Sequence, residues 1–241
     1  MEKIIVANLK MYMDQEEVLS YIKALDSIPH INQVLFFPST LYLPYFTEKK
    51  YPVGIQNIST EKQGAYTGEV SAKQAASLGV QACLIGHSER RKYFKEDNVQ
   101  IGEKLRRAEE NGLQIILCIG ETIEEQEEEK TESILAEQLS VLERVSTSYF
   151  SNLMIAYEPV WAVGTGHLPT HTVLKERISF IRKYLERWPE SDTIPILYGG
   201  SITPDTIGNL CTIEEVNGFL IGKASTDIEK LSQMIEVAVT M

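Results

Sequence analysis

The chain is short of the residues that mark several large protein classes. Its 241 residues hold three cysteines, Cys83, Cys118 and Cys211, an odd and unevenly spaced set. Such a set builds no disulfide framework and fits a reducing compartment. Cys83 and Cys118 lie inside apolar runs and read as small core residues. Positive charge is also scarce, with 23 Lys and Arg against 34 Asp and Glu and a net charge of −11. A nucleic-acid surface needs clustered Lys and Arg; the only basic cluster, Arg90-Arg91-Lys92, is short. No stretch approaches the ~20 uninterrupted apolar residues of a membrane span. The opening MEKIIVANLK is too short an apolar run for a signal peptide, so the expected location is cytoplasmic.

Histidine numbers four. His167 and His171 have a helical i, i+4 spacing, but Pro169 between them disrupts a shared helix; His30 stands alone. No phosphate loop, zinc-type cysteine pair or calcium loop is present. No Pro/Ser/Gly-rich linker divides the chain, and residues 1–241 are expected to form one domain.

What the chain does have is a regular alternation. Short apolar runs stand at 4–7, 34–37, 53–56, 82–85, 115–119, 154–157, 196–198 and 219–221. Each is too short for a helix and most lack strict alternation, as expected of strands buried on both faces. Helical periodicity fills the intervals at 15–25, 99–111, 131–145, 174–188 and 228–239, with weaker signals at 41–48, 71–78 and 205–210. The acidic run at 124–129 reads as the solvated start of a further helix. Eight β-α units in this length predict an α/β fold, a closed (β/α)8 barrel of eight parallel strands surrounded by helices. An open doubly wound sheet is the alternative. It would normally carry a nucleotide fingerprint after its first strand, and ANLKMYMD has none.

In such a barrel chemistry sits where strands end. Asn8 and Lys10 follow the first strand, Gly86-His87-Ser88-Glu89 the fourth, Glu158 the sixth, Gly199-Gly200-Ser201 the seventh and Gly222-Lys223 the eighth. Taken singly, each has a plain reading: a salt-bridged acid, a structural histidine, a glycine turn. YGGS and GKAS, however, each open an expected helix, where free N–H groups bind anions. In so acidic a protein an anion site must be locally positive in this way. An expected helix at HSER would also put its positive end beside His87, disfavouring imidazolium. Most telling is MIAYEPVWAVGTG, where an apolar strand ends in one acid and runs straight into a glycine-bearing segment. It reads as a catalytic base joined to a movable lid.

Several motifs here, AYEPVWAVGTG, IGHSERR, ANLKM, GAYTGEVS, CIGE and YGGSI, resemble the triosephosphate isomerase family in order and spacing, over essentially the whole chain. The resemblance implies interconversion of dihydroxyacetone phosphate and D-glyceraldehyde 3-phosphate through an enediolate, in glycolysis and gluconeogenesis, without metal or cofactor. It implies Glu158 as general base, His87 as neutral electrophile and Lys10 as fixed positive charge. It makes Asn8, Lys10, Gly164, Ser201, Gly222 and Lys223 substrate contacts, Glu89 a support for Lys10, and residues 159–166 a lid that excludes water. It also implies a homodimer in which a loop carrying Thr67 reaches the neighbouring subunit's site near Asn8. The chain departs from the family at Leu9, where Trp is usual, at His167-Leu168-Pro169, where the lid usually ends in Lys-Thr-Ala, and at Lys223, where Gly is usual. Lys223 keeps its backbone N–H, and its side chain is expected in solvent. Two other readings stay open at this point: a phosphate-binding barrel enzyme with Lys10 as Schiff-base nucleophile, and a non-catalytic barrel that binds a sugar phosphate.

Overall fold

The computed structural model describes residues 3–164, 166 and 168–240, with only the backbone of Glu190. Thr165 and His167, and with them the expected lid end at His167 and the His167/His171 spacing, lie outside the described residues. Eight strands form one sheet: β1 (Ile4–Asn8), β2 (Val34–Phe37), β3 (Gly54–Ile55), β4 (Ala82–Ile85), β5 (Gln114–Ile119), β6 (Leu153–Tyr157), β7 (Ile196–Tyr198) and β8 (Gly218–Ile221). Their order is β2-β1-β8-β7-β6-β5-β4-β3. A parallel bridge from Phe36 to Val53 joins the two ends, giving a (β/α)8 barrel. Every expected apolar run is a strand, because strands covered on both faces keep few polar residues. The run expected at 53–56 pairs over only two residues, and Gln56 leaves the strand. Its side-chain amide instead donates to the carbonyls of Phe37 and Lys10, both at 2.9 Å.

The period of two sorts the strand residues into two cores. Val6, Leu35, Phe37, Ala82, Leu84, Ile116, Cys118, Met154, Ala156, Leu197 and Leu220 fill the barrel. Their neighbours, among them Ile5, Ala7, Phe36, Cys83, Ile85, Ile115 and Leu117, pack outward against the helices. Cys83 and Cys118 are therefore core residues, one in each layer. Burial of each large aliphatic side chain favours this arrangement by about 1.5–3 kcal/mol.

Among the described residues ten α-helices surround the strands: α1 (Gln15–Leu25), α2 (Leu43–Glu48), α3 (Ala72–Ser77), α4 (Ser88–Phe94), α5 (Asn98–Glu110), α6 (Ile123–Glu127), α7 (Thr131–Leu139), α8 (His171–Leu185), α9 (Pro204–Cys211) and α10 (Ile228–Thr240). Reciprocal capping boxes start α1 at Asp14/Glu17, α3 at Ser71/Gln74, α5 at Asp97/Gln100 and α6 at Thr122/Glu125. Two expected helices differ in extent. The one expected over 131–145 is α-helical only to Leu139 and continues as a 3-10 helix, Ser140–Arg144. The one expected over 174–188 begins a turn earlier, because Thr170 accepts the Val173 N–H and caps the helix.

Gly54 exposes the tolerance of the barrel interior. A Cβ there would lie 2.1 Å from the Phe37 ring. Gly54→Ala is expected to cost about 1–3 kcal/mol of unfolding free energy through overpacking. The same substitution in a Phe37→Leu background should cost clearly less, as urea unfolding of the four proteins of the cycle would show.

Candidate active site

The strand ends bring their polar residues to one mouth of the barrel. Asn8 closes β1, and Lys10 follows in the left-handed region at φ 51°, a conformation that costs a non-glycine residue roughly 1 kcal/mol or more. Neighbours hold it there. The Lys10 N–H donates to Asn8 Oδ1 at 3.1 Å, its carbonyl accepts from Gln56, and its Nζ pairs with Glu89 Oε1 at 2.5 Å. Glu89 thus supports Lys10, as expected. Gly222 lets the backbone after β8 reach the same ammonium, since a Cβ there would stand 3.2 Å from Lys10 Cε.

His87 is the N-cap of α4. Its Nδ1 accepts the Glu89 N–H at 3.2 Å, which assigns the proton to Nε2. Nε2 lies 3.1 Å from Glu158 Oε1 and 3.4 Å from Asn8 Nδ2. Glu158 Oε2 accepts the Ser88 N–H at 3.3 Å. Both residues are nearly inaccessible, Glu158 at 2% and His87 at 5%. Gly199 makes room for the acid: a Cβ there would meet Glu158 Cγ at 2.8 Å.

Burial and pairing act oppositely on this couple. Burial, the largest single effect, disfavours imidazolium, yet the charge and hydrogen bond of Glu158, with the nearby Glu89 charge, together raise His87 above its ordinary value. Burial likewise disfavours the Glu158 carboxylate, but the charge and hydrogen bond of His87 and the Ser88 N–H hold its pKa below the ordinary range. The rise at His87 comes mainly from direct contact with Glu158, with a smaller contribution from the Glu89 carboxylate 3.7 Å from Nδ1. The cap bond at Nδ1 and the burial do not depend on that contact, and both favour the neutral ring.

A cavity of about 990 Å³ opens onto Asn8, Lys10, His87, Glu158, Gly164, Ser201, Gly222 and Lys223, the residues expected to catalyse or to contact substrate; Glu89, expected to support Lys10, does not line it. Lys223 is exposed, matching its expected orientation toward solvent. A comparable concavity along the outer face of α8, about 1090 Å³, has no such convergence of groups. Ser201 differs from expectation in its side chain, which bonds to the segment expected to form the lid. Its Oγ donates to the Ala162 carbonyl at 2.6 Å and accepts the Gly166 N–H at 3.1 Å. The glycine loops also differ. No α-helix starts directly at YGGS or GKAS: α9 begins only at Pro204, after a cap at Thr203, and Gly222 leads into a single 3-10 segment, Lys223–Thr226. The free amides there belong to loop backbone.

Two side chains of this region have no role assigned from the sequence. Glu121, 1% exposed, accepts from Tyr157 Oη at 3.1 and 3.2 Å and from Trp161 Nε1 at 3.0 Å. Burial raises its pKa. Its sequence signal, an acid just after an apolar run, was the one that drew attention to Glu158. The other is Gln138, whose contacts are purely tertiary. Among the described residues no three His, Cys, Asp or Glu side chains gather as a metal site, and no helix is long and apolar enough to cross a membrane.

Comparison with known proteins agrees with this geometry. The triosephosphate isomerase family profile matches residues 3–238. The triosephosphate isomerase of Stenotrophomonas maltophilia is 37% identical over 236 residues, covering 92% of each chain. That of Leptospira interrogans is 36% identical over 245 residues, covering 96% of this chain and 98% of its own. That of Clostridium botulinum strain ATCC 19397 is 38% identical over 242 residues, with the same coverage. With a barrel of eight parallel strands, a shared cavity at the strand ends and relatives of this closeness, the chain belongs to the triosephosphate isomerase family.

Proposed function

We propose a division of labour among Lys10, His87 and Glu158 for the reaction that family membership assigns, the interconversion of dihydroxyacetone phosphate and D-glyceraldehyde 3-phosphate. The carrying observation is the contact of Glu158 Oε1 with His87 Nε2, 3.1 Å, in one cavity with Lys10 and Asn8. The Glu158 carboxylate removes a proton from the carbon beside the substrate carbonyl. The electron pair of that C–H bond moves toward the carbonyl oxygen, and an enediolate forms. The Nε2–H of His87 and the ammonium of Lys10 stabilise the charge that develops on oxygen. Protonated Glu158 returns the proton to the neighbouring carbon, and His87 transfers the proton between the two oxygens.

The ligand-free pair gives this scheme a built-in timing. While Glu158 touches His87, the imidazole depresses its basicity. A substrate placed between them removes that bond and leaves burial, which raises a carboxylate's pKa. The base strengthens when substrate arrives. Ser201 ties Ala162 and Gly166 of the lid to the loop after β7, and a closed lid completes desolvation. Backbone amides near Gly164 and Gly222, with Lys10, supply the local positive potential for phosphate. Lys10 faces a carboxylate, the setting of a charged ammonium and not of a nucleophilic amine, which disfavours a Schiff-base enzyme.

We also propose that the active form is a homodimer of single-domain subunits in the cytoplasm. Residues 62–69, including Thr67, are all exposed. A cleft of about 440 Å³ beside Asn8, Lys10 and His87 is flanked by Met11, Tyr93 and Phe94, exposed by 91%, 67% and 65%. An apolar rim of this kind around the catalytic lysine suits the projecting loop of a second copy.

Glu158→Gln should leave a folded protein whose turnover falls at least ~10²-fold, the lower range for general acid–base catalysis; a coupled isomerase assay showing near-normal turnover would remove Glu158 from its role. Phe94→Glu should shift sedimentation toward monomer and lower specific activity, increasingly so on dilution. A fully active monomer would sink the shared-site reading.

A further inference from the structure

β4 and β5 pair only as far as Ile85 and Leu117. Beyond that point β4 turns away at Gly86, φ 73°, and the end of β5 loses its neighbour on that side. Its backbone groups would be buried and unpaired. The Gln138 side chain, from α7, takes the place of a strand. Its Oε1 accepts the Gly120 N–H at 2.8 Å and its Nε2 donates to the Gly120 carbonyl at 3.0 Å. This two-point match also fixes the orientation of the amide.

On its other side Gly120 lies against the catalytic strand. A Cβ there would fall 1.8 Å from the Glu158 carbonyl oxygen. The Glu158 N–H donates to Ile119 O at 2.7 Å, and the Val160 N–H donates to Glu121 O at 2.9 Å. Gly120 is therefore the central contact of a three-residue segment that supports both the proposed base and the lid's first residues. Glu121, next in chain, holds Trp161 of the lid. Gln138 lines a cavity of about 460 Å³ that it shares with Gly120, Glu158, Val160 and Trp161, and it does not line the substrate cavity.

We infer that Gln138 is a positioning residue: by clamping Gly120 from behind, it sets the backbone of Glu158 and the origin of the lid, and so the alignment of the base with substrate. The inference rests on the reading of Glu158 as the base. Gln138 touches no reacting atom, so it acts on turnover and leaves substrate capture nearly unchanged.

The test compares kcat and KM of Gln138→Leu and Gln138→Glu with the parent protein at about pH 8 and about pH 6, with circular dichroism reporting the folded fraction. Leucine removes both hydrogen bonds. Per folded molecule, kcat should fall about tenfold or more with KM within about twofold, as small misplacements of catalytic groups do. Glutamate discriminates further. Ionised, it cannot donate to the Gly120 carbonyl; protonated, it has the donor and acceptor of glutamine. Burial raises its pKa, so its kcat relative to the parent should climb at least about fivefold from about pH 8 to about pH 6, while the Gln138→Leu ratio stays flat. A merely structural amide would lower stability and leave kcat per folded molecule unchanged in both variants. That result overturns the inference, as does a flat pH ratio for Gln138→Glu, which decides alone if Gln138→Leu does not fold. Glu158→Gln, assayed in parallel, separates the two levels. An inactive Glu158→Gln beside an unaffected Gln138→Leu sinks only the positioning role, whereas an active Glu158→Gln sinks the base itself.

Discussion

Glu158 and His87 come from different strands, and the 3.1 Å contact between them depends on most of the barrel. The acid is delivered by β6 and the ring by the turn between β4 and α4. Burial disfavours the charged form of each. Pairing keeps the carboxylate ionised without water, which is the state a general base must occupy before substrate enters. On the proposed reading substrate breaks this contact, and binding energy from its phosphate end separates the pair, releasing a desolvated carboxylate directed at carbon.

The surroundings extend the same logic. Asn8 borders the ring, Glu89 holds Lys10 through its carboxylate while its N–H occupies the ring's far nitrogen. One residue thus places the ammonium and selects the tautomer. Glycines at 120, 199 and 222 let backbone or side chain approach the catalytic groups where a Cβ would collide or crowd. The net charge of −11 makes the local cation essential: an anionic substrate is admitted where Lys10 and loop amides face the cavity, and repelled by the general field.

The strands and the candidate site residues are readable because their signals are local. A strand buried on both faces must be apolar, and a polar residue directly after it stands out; Asn8, His87 and Glu158 were visible for that reason. The supports were not. Gln138 lies 18 residues from Gly120, on a helix where a glutamine is unremarkable, and Gln56 sat inside a run taken for strand. Their roles exist only once the barrel closes. Glu121 had the same local signal as Glu158, but its partner Trp161 lies 40 residues away. The glycine loops were misjudged in one respect, since Thr203 and Pro204 form a better helix start than the glycines before them.

The central claim concerns how the carboxylate and the imidazole control one another, and ¹⁵N NMR of the His87 ring over a pH titration tests it most directly. In the ligand-free protein His87 should titrate above its ordinary value of 6.5, with Nδ1 as the nitrogen that lacks the proton in the neutral ring. In Glu158→Gln, where burial and the cap bond remain but the charge is gone, the midpoint should fall below that value. An unchanged midpoint in the variant, or a neutral ring protonated at Nδ1, would contradict the account.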